Sequence, residues 1–219
     1  MNELSILQQI AIWALPIIFA ITWREAAQAL VAFRLGDPTA YSKGRVTLNP
    51  VKHIDPIGTI ALPLLMIVLS AGMLFGWAKP IPINGNNLHN PRRDAALVAC
   101  AGPASSIIMA ILWAIVMKIG LLFVETSSDP LMFLVYVGQA GLFINSALFI
   151  LHLIPIPPLD GGRILLSVLP VHMALKFSRI EAYSPILLIL LLLSGLLGKV
   201  LIPLMILMIG MIGALVGLQ

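Results

Sequence analysis

The chain has 219 residues, of which 60% are hydrophobic and only 10% are charged, and its mean hydropathy is +1.04. A water-soluble domain usually carries about 25% charged residues. The composition therefore excludes a water-soluble domain and predicts a single membrane-embedded domain over residues 1–219. The formal net charge of +4 is spread over loops, without a basic run interleaved with aromatics, so nucleic acid is not an expected partner.

Long apolar segments recur along the chain. A helix needs roughly 20 apolar residues to cross the hydrocarbon core, so the chain is predicted to be an all-α polytopic membrane protein with five to six transmembrane helices. The predicted spans are residues 6–35, 56–75, 95–123, 131–154 and 185–218. A shorter helix is predicted over residues 163–177. The last stretch is long enough for one tilted helix or a tight helical pair, and both stay open.

A polar stretch, residues 36–55, follows the first span. It contains the turn-forming residues Gly36, Pro38 and Pro50 and a run at 45–48 in which polar and apolar residues alternate. Alternation of this kind is typical of a short β-strand. We therefore predict a small β hairpin or loop near the membrane interface rather than another span.

The basic residues of the loops predict the orientation. If every predicted span crosses the membrane, the N-terminal side holds six basic residues, Lys79, Arg92, Arg93, Arg163, Lys176 and Arg179. The opposite side holds five, which are partly offset by four acidic residues. Since cytoplasmic loops are enriched in Lys and Arg, this count predicts a cytoplasmic N-terminus by a small margin.

Ionisable residues inside apolar spans are costly and mark functional positions. Arg24, Glu25 and Gln28 lie in the second half of the first span, and Asp160 lies in a proline-rich break after the fourth. His152 precedes Asp160 by eight residues. On a helix, Arg24 and Gln28 share one face. Taken alone, these residues also fit an ion pair between Arg24 and a carboxylate that fixes the helix register.

Three blocks of this sequence resemble the signatures of the site-2 protease family, the intramembrane zinc metalloproteases. Residues 21–60 resemble the first signature, which usually reads H-E-x-x-H followed by a G-R-x-T-x-N-P-x-x-H-x-D-P-x-G block. GWAKPIPIN, NPRRD and AGPASS resemble the central segment, and LIPIPPLDGGR resembles the third signature. No loop has room for a PDZ domain, so the resemblance is to the compact bacterial branch. It implies a multi-pass protein of the bacterial inner (plasma) membrane with transmembrane proteins or peptides as substrates.

In that family two His side chains and an Asp bind zinc, and the Glu between the His residues acts as general base. The resemblance thus implies that Glu25 is the general-base position and Asp160 a zinc ligand. Arg24 and Gln28 stand at the two His positions. A guanidinium has no lone pair to offer, and an amide oxygen is a poor zinc ligand. We therefore expect zinc, the family's cofactor, to be absent or weakly bound.

Without zinc, the two carboxylates would lack a counter-charge. We predict that Arg24 pairs with Asp160 through its planar fork of donors and that Gln28 donates to the remaining carboxylate oxygen. His152 is the candidate substitute zinc ligand, at a position where the family more often has Asn. The resemblance also implies that Asn145 lines the cavity and orients a substrate strand.

Three functions stay open from the sequence. The first is a protein without peptidase activity that binds membrane-embedded substrates or partners, with membrane lipid as its surroundings. The second is an active zinc metalloendopeptidase with an altered ligand set of Asp160, His152 and either Glu25 or a further water. The third is a transporter or channel with Arg24 and Asp160 in a polar pathway, which would require internal repeats that the sequence does not show.

Overall fold

A computed structural model of the chain describes residues 5–56, 61, 79–125 and 130–218. The described part is helical and contains no strand. In chain order its α-helices are α1 (Ile6–Arg34), α2 (Thr39–Ser42), α3 (Pro91–Phe123), α4 (Met132–His152), α5 (Asp160–Val168), α6 (Val171–Ser178), α7 (Ser184–Leu193) and α8 (Leu196–Val216). Single 3-10 helices lie at Pro50–Lys52, Gly85–Asn87 and Arg179–Tyr183. Among these, α1, α3, α4 and α8 are long and apolar enough to cross a membrane.

Helix α1 begins at a capping box. The backbone N–H of Gln8 donates to the Ser5 hydroxyl at 3.2 Å, and the backbone N–H of Ser5 donates to Gln8 Oε1 at 2.9 Å. This reciprocal pair satisfies donors that the first helical turn leaves unpaired. In its second half α1 buries Ala26, Ala29 and Ala32. Such small side chains let neighbouring helices approach closely in lipid.

Helices α3 and α4 pack against each other in antiparallel orientation at the centre of the bundle. A Cβ added to Gly138 of α4 would lie 2.5 Å from the backbone nitrogen of Met117 in α3, so only glycine permits this approach. Helix α8 covers the outer side of the pair, where Ile212 packs with residues of both helices. Near the C-terminal end of α8, the Lys118 side chain of α3 donates to the Val216 carbonyl at 2.6 Å.

The C-terminal apolar stretch 185–218 is a helical pair, α7 and α8, and not one tilted helix. The break lies at Gly195, whose φ of +69° is a left-handed conformation that favours glycine. The helix predicted over 163–177 is likewise two helices, α5 and α6. They are separated at Pro170, which lacks the N–H that would continue a helix.

The β hairpin predicted for residues 36–55 is not confirmed. This segment is described throughout and folds as α2, a 3-10 turn and connecting loops, without a span. Arg45, in the alternating run, is buried and donates to the carbonyls of Lys52, at 2.5 Å, and Lys79. Within this segment the Lys52 carbonyl is therefore bound by the Arg45 side chain and not by another strand.

Asp37 joins this segment to the polar loop that precedes α3. Its fully buried carboxylate accepts hydrogen bonds from the backbone N–H groups of Thr39, at 3.0 Å, and Asn84, at 2.7 Å, and from Asn87 Nδ2 at 3.0 Å. Burial alone would raise the pKa of Asp37, but these hydrogen bonds and that of the Thr39 hydroxyl together hold the pKa below its ordinary value.

The predicted second span, 56–75, lies outside the described residues except for positions 56 and 61. Its described flanks lie side by side, because the Lys79 N–H donates to the His53 carbonyl at 3.0 Å. The His89 N–H also donates to the Leu35 carbonyl at 3.0 Å. Both flanks therefore lie at the C-terminal end of α1, on one side of the membrane.

This arrangement changes the count of basic residues on which the predicted orientation rests. Of the thirteen Lys and Arg residues, all except Arg24 and Lys118, hence eleven, lie on the side where α1 ends and α3 begins. Arg92, for example, contacts the Leu169 carbonyl, which brings the end of α5 to that side. Because cytoplasmic loops are enriched in Lys and Arg, the charge distribution favours this side as cytoplasmic. The N-terminal end of α1 then lies on the opposite side.

Candidate functional site

Three helices bring the polar residues singled out in the sequence into one buried pocket. Helix α1 supplies its residues from one face, α4 ends at the pocket and α5 begins there. Between α4 and α5 the proline-rich break cannot continue as regular helix, so the chain turns and places the first residue of α5 against α1. The residues that meet are Arg24, Glu25, Gln28, His152 and Asp160.

The Arg24 guanidinium lies at the centre of this pocket and contacts three side chains. Its Nη1 donates to Glu25 Oε1 at 3.0 Å, and its Nη2 lies 2.8 Å from His152 Nδ1 and also contacts Asp160 Oδ2. Because a guanidinium can only donate, His152 Nδ1 is the acceptor of that contact. The imidazole is then neutral and carries its proton on Nε2.

Asp160 is 2% exposed and has both carboxylate oxygens hydrogen-bonded. Oδ2 accepts from Arg24, and Oδ1 accepts from Gln28 Nε2 at 2.9 Å. The pairing predicted from the sequence is therefore confirmed for both contacts. Arg24 and Gln28, four residues apart on α1, bind the two oxygens of a single carboxylate from another helix.

Glu25 is paired on both oxygens as well. Oε1 accepts from Arg24, while Oε2 accepts from the backbone N–H of Ile81 at 3.2 Å. Ile81 lies in segment 79–84, which has no regular secondary structure and in which Pro80 and Pro82 favour an extended backbone at the residues that precede them. The position that the resemblance assigns to a general base is thus bound to a cation and a backbone donor.

Gly102 of α3 closes the pocket from a third side. A Cβ at this position would lie 2.6 Å from Gln28 Nε2 and 2.8 Å from Asp160 Oδ2. Gly102 was not singled out from the sequence. Its contact with the polar pocket was missed, and the nearest signal was the similarity of AGPASS to the family's central segment.

Asn145 lies in α4 and is completely buried. Its Nδ2 donates to the Gly141 carbonyl at 2.8 Å, whereas Oδ1 has no hydrogen-bond partner among the described residues. None of its hydrogen bonds reaches the pocket around Arg24. A buried acceptor without a donor is energetically unfavourable, so Oδ1 is a position where a donor would bind. That Asn145 orients a substrate strand stays a prediction.

The pocket does not fit a zinc ion. Zinc requires several lone-pair donors that converge on one point, but here the Arg24 guanidinium lies among Glu25, His152 and Asp160 and directs its hydrogens at their acceptor atoms. In the part of the chain that the structure describes, no group of three or more His, Cys, Asp or Glu side chains is placed to hold a metal. His152 Nδ1 and Asp160 Oδ2, 3.6 Å apart, are adjacent but share the cation.

Four helices long and apolar enough to cross a membrane, with a polar pocket between the helices, define a polytopic membrane protein. YwhC of Bacillus subtilis (strain 168), provisionally named a zinc metalloprotease, is 36% identical over 197 residues, which are 87% of this chain and 84% of that relative. The chain therefore belongs to the site-2 protease family.

Two mycobacterial relatives, both provisionally named zinc metalloprotease Rip2, are more distant. The protein of Mycolicibacterium smegmatis is 30% identical and that of Mycobacterium tuberculosis (strain H37Rv) 31% identical, each over 145 residues. These residues are 66% of this chain and 52% of each relative, so the match spans about half the length of Rip2. No family model and no solved structure matches the chain.

Proposed function

We propose that this protein is a site-2-protease-like member of the family without zinc-dependent peptidase activity, which binds membrane-embedded peptides or proteins in the inner membrane of a bacterial cell. The observation that carries the proposal is the Arg24 guanidinium, which contacts Glu25, His152 and Asp160 at once. A zinc ion would have to displace a paired, buried cation before it met any of these ligands.

The extended segment 79–84 supports a binding role. Pro80 and Pro82 carry no N–H, and the N–H of Ile81 is bound by Glu25. The N–H of Ile83 and the carbonyls of residues 80–83 make no hydrogen bond to the described residues. An extended backbone with unpaired groups is a template on which an unwound peptide can add as a strand. Segment 79–84 is therefore the proposed peptide-binding edge.

The second candidate is an active zinc metalloendopeptidase with a substituted ligand set. It is favoured by the proximity of His152 Nδ1 and Asp160 Oδ2, at 3.6 Å, with Glu25 bound to the same guanidinium. If Arg24 swung away, one nitrogen and two carboxylates would remain as donors. Because such a set is acceptable to zinc, the metal content of the protein discriminates between the two functions.

The zinc content of detergent-purified protein tests the proposal. We expect the parent to retain far less than one zinc per chain after exposure to zinc and gel filtration. The double variant Arg24→His with Gln28→His should retain about one, because it restores two imidazoles at i and i+4 beside Asp160. The same double variant with Asp160→Ala is the matched control and should lose that zinc. Stoichiometric zinc in the parent, removed by Asp160→Ala alone, would establish the second candidate instead.

Binding is tested separately with a panel of fluorescent 20-residue apolar peptides that carry a central Gly-Pro helix break. Ile83→Pro removes the free N–H of the proposed edge, and Ile83→Ala, which keeps it, is the matched control. We expect Ile83→Pro to weaken binding in detergent micelles severalfold more than Ile83→Ala does. Equal binding by the parent and both variants would show that segment 79–84 is not the peptide-binding edge.

A further inference from the structure

An apolar groove runs along the outer surface of the bundle between α1 and α3. It has a volume of about 410 Å³, within the range of roughly 300–1,000 Å³ that is usual for ligand pockets. Leu97, Cys100 and Ala104 of α3 are exposed along it, so the groove opens away from the bundle and toward lipid. The lining residues are Val31, Arg34, Leu35, Leu97, Cys100, Ala101 and Ala104.

Helical spacing explains why the groove exists. Leu97, Ala101 and Ala104 recur at intervals of four and three residues and therefore share one face of α3. From Leu97 to Ala104 this face extends about 10 Å along the helix axis, at 1.5 Å per residue. The small side chains at 101 and 104 leave space that α1 does not fill. The pocket around Arg24 lies at a different face of α3, the one that carries Gly102.

A single charge lies at the cytoplasmic end of this groove. Arg34 is the last residue of α1, is exposed, and makes no hydrogen bond or ion pair to any described residue. Asp37, the nearest carboxylate in sequence, is fully buried and already accepts bonds from Thr39, Asn84 and Asn87. The guanidinium is thus available to an anion at the level where lipid headgroups lie.

We propose that the groove is a binding site for one anionic phospholipid of the cytoplasmic leaflet. Its acyl chain lies along Leu97, Ala101 and Ala104, and its phosphate accepts hydrogen bonds from Arg34. Three features of the groove match this ligand: an apolar trough, a planar fork of donors at one end, and a position on the side that holds eleven of the thirteen basic residues. Guanidinium and phosphate pair through two parallel hydrogen bonds, and the cytoplasmic leaflet is the one rich in anionic lipid.

Thermal unfolding in a neutral detergent tests the headgroup part. Dioleoyl phosphatidylglycerol should raise the melting temperature at low lipid-to-protein ratios, and dioleoyl phosphatidylcholine should not. Arg34→Gln should weaken the apparent affinity for phosphatidylglycerol about fivefold, which is the effect of one basic residue near an anionic surface. Arg93→Gln is the matched control, since Arg93 is exposed on the same side but lies outside the groove.

Filling the trough tests the acyl-chain part. Ala104→Phe should abolish the phosphatidylglycerol effect, whereas Ile108→Phe, one turn further along α3 and outside the groove, should preserve it. A phosphatidylglycerol with a photoactivatable acyl chain should label residues 31–35 and 97–104. Equal stabilisation by the two lipids, equal loss in Arg34→Gln and Arg93→Gln, or an unchanged effect in Ala104→Phe would each overturn the assignment. In none of these experiments is peptidase or peptide-binding activity measured, so the outcome is independent of the proposed function.

Discussion

Replacing Arg24 with alanine removes the only cation among the described residues that directly contacts both buried carboxylates of the pocket. Asp160 is 2% exposed and Glu25 7% exposed, and each would keep one described donor, Gln28 Nε2 and the Ile81 N–H respectively. Removing one partner of a buried ion pair costs about 3–5 kcal/mol. Because the remaining donors still pair one oxygen of each carboxylate, we expect Arg24→Ala to lower the free energy of unfolding by about 3 kcal/mol.

The double variant Arg24→Ala with Asp160→Asn separates charge from packing. It removes the same arginine side chain but also removes the carboxylate that Arg24→Ala leaves without its counter-charge. We expect it to recover about half of the loss, which corresponds to a coupling energy of at least about 1 kcal/mol between positions 24 and 160. Arg163→Ala, at an exposed position of α5, is the control for loss of an arginine and should change stability little.

Thermal unfolding in detergent, followed by tryptophan fluorescence, measures these differences. For a chain of this length about 1 kcal/mol shifts the melting temperature by roughly 2–4 °C, so Arg24→Ala should melt about 6–12 °C below the parent. If Arg24→Ala melts like the parent, or if the double variant is less stable than Arg24→Ala, the guanidinium does not replace the charge of a metal and the reasoning is refuted.

Three further predictions concern the packing at Gly102, the orientation of the helices and the titration of Asp37. Gly102→Ala should destabilise by about 1–3 kcal/mol, because its Cβ would overlap Gln28 and Asp160; Gly210→Ala, with no atom within 4 Å, should be neutral or stabilising in the same thermal assay. In a Cys100→Ser background, an impermeant maleimide added to intact cells should label Ser5→Cys but not His172→Cys, and the reverse pattern would refute the orientation. Since the pKa of Asp37 is lowered on folding, its stabilising effect should be complete above its unfolded value near 3.8 and disappear as the pH falls through the folded pKa. Melting curves against pH should therefore show Asp37→Asn less stable than the parent at pH 7, with the difference shrinking below about pH 4.

The pairing at the pocket could be predicted because the family resemblance brings Asp160 to positions 24 and 28, and helix geometry and charge then assign the contacts. Residues at i and i+4 face the same way on a helix, and a buried carboxylate needs a donor for each oxygen. The β hairpin could not be judged in this way. Alternating residues form a strand only where a second strand pairs with them, and here the Arg45 side chain instead reaches the carbonyl of Lys79, 34 residues away.

The charge count behind the predicted orientation changes for a different reason. The count placed successive loops on alternate sides, which assumes that every apolar segment crosses the membrane. Hydrophobic periodicity does not show whether the two ends of a segment lie on the same side. The contact between the Lys79 N–H and the His53 carbonyl brings the two flanks of the predicted second span to one side. The six basic residues counted with the N-terminal side then lie on the same side as the basic residues that follow α1. A count of six against five is thereby replaced by eleven of thirteen on one side.

The two substitutions at the zinc positions are best understood as one change. In the family, two residues four apart on this helix would present two imidazoles to one metal. Here the same spacing on α1 presents two donor groups to one carboxylate, that of Asp160. Arg24 binds its Oδ2 and Gln28 binds its Oδ1. A histidine restored at position 24 alone would leave Gln28 as a poor ligand, and one restored at position 28 alone would leave the guanidinium among the ligands. Each single reversion therefore removes a donor from Asp160 without completing a zinc site, so zinc binding should return only when both positions change together.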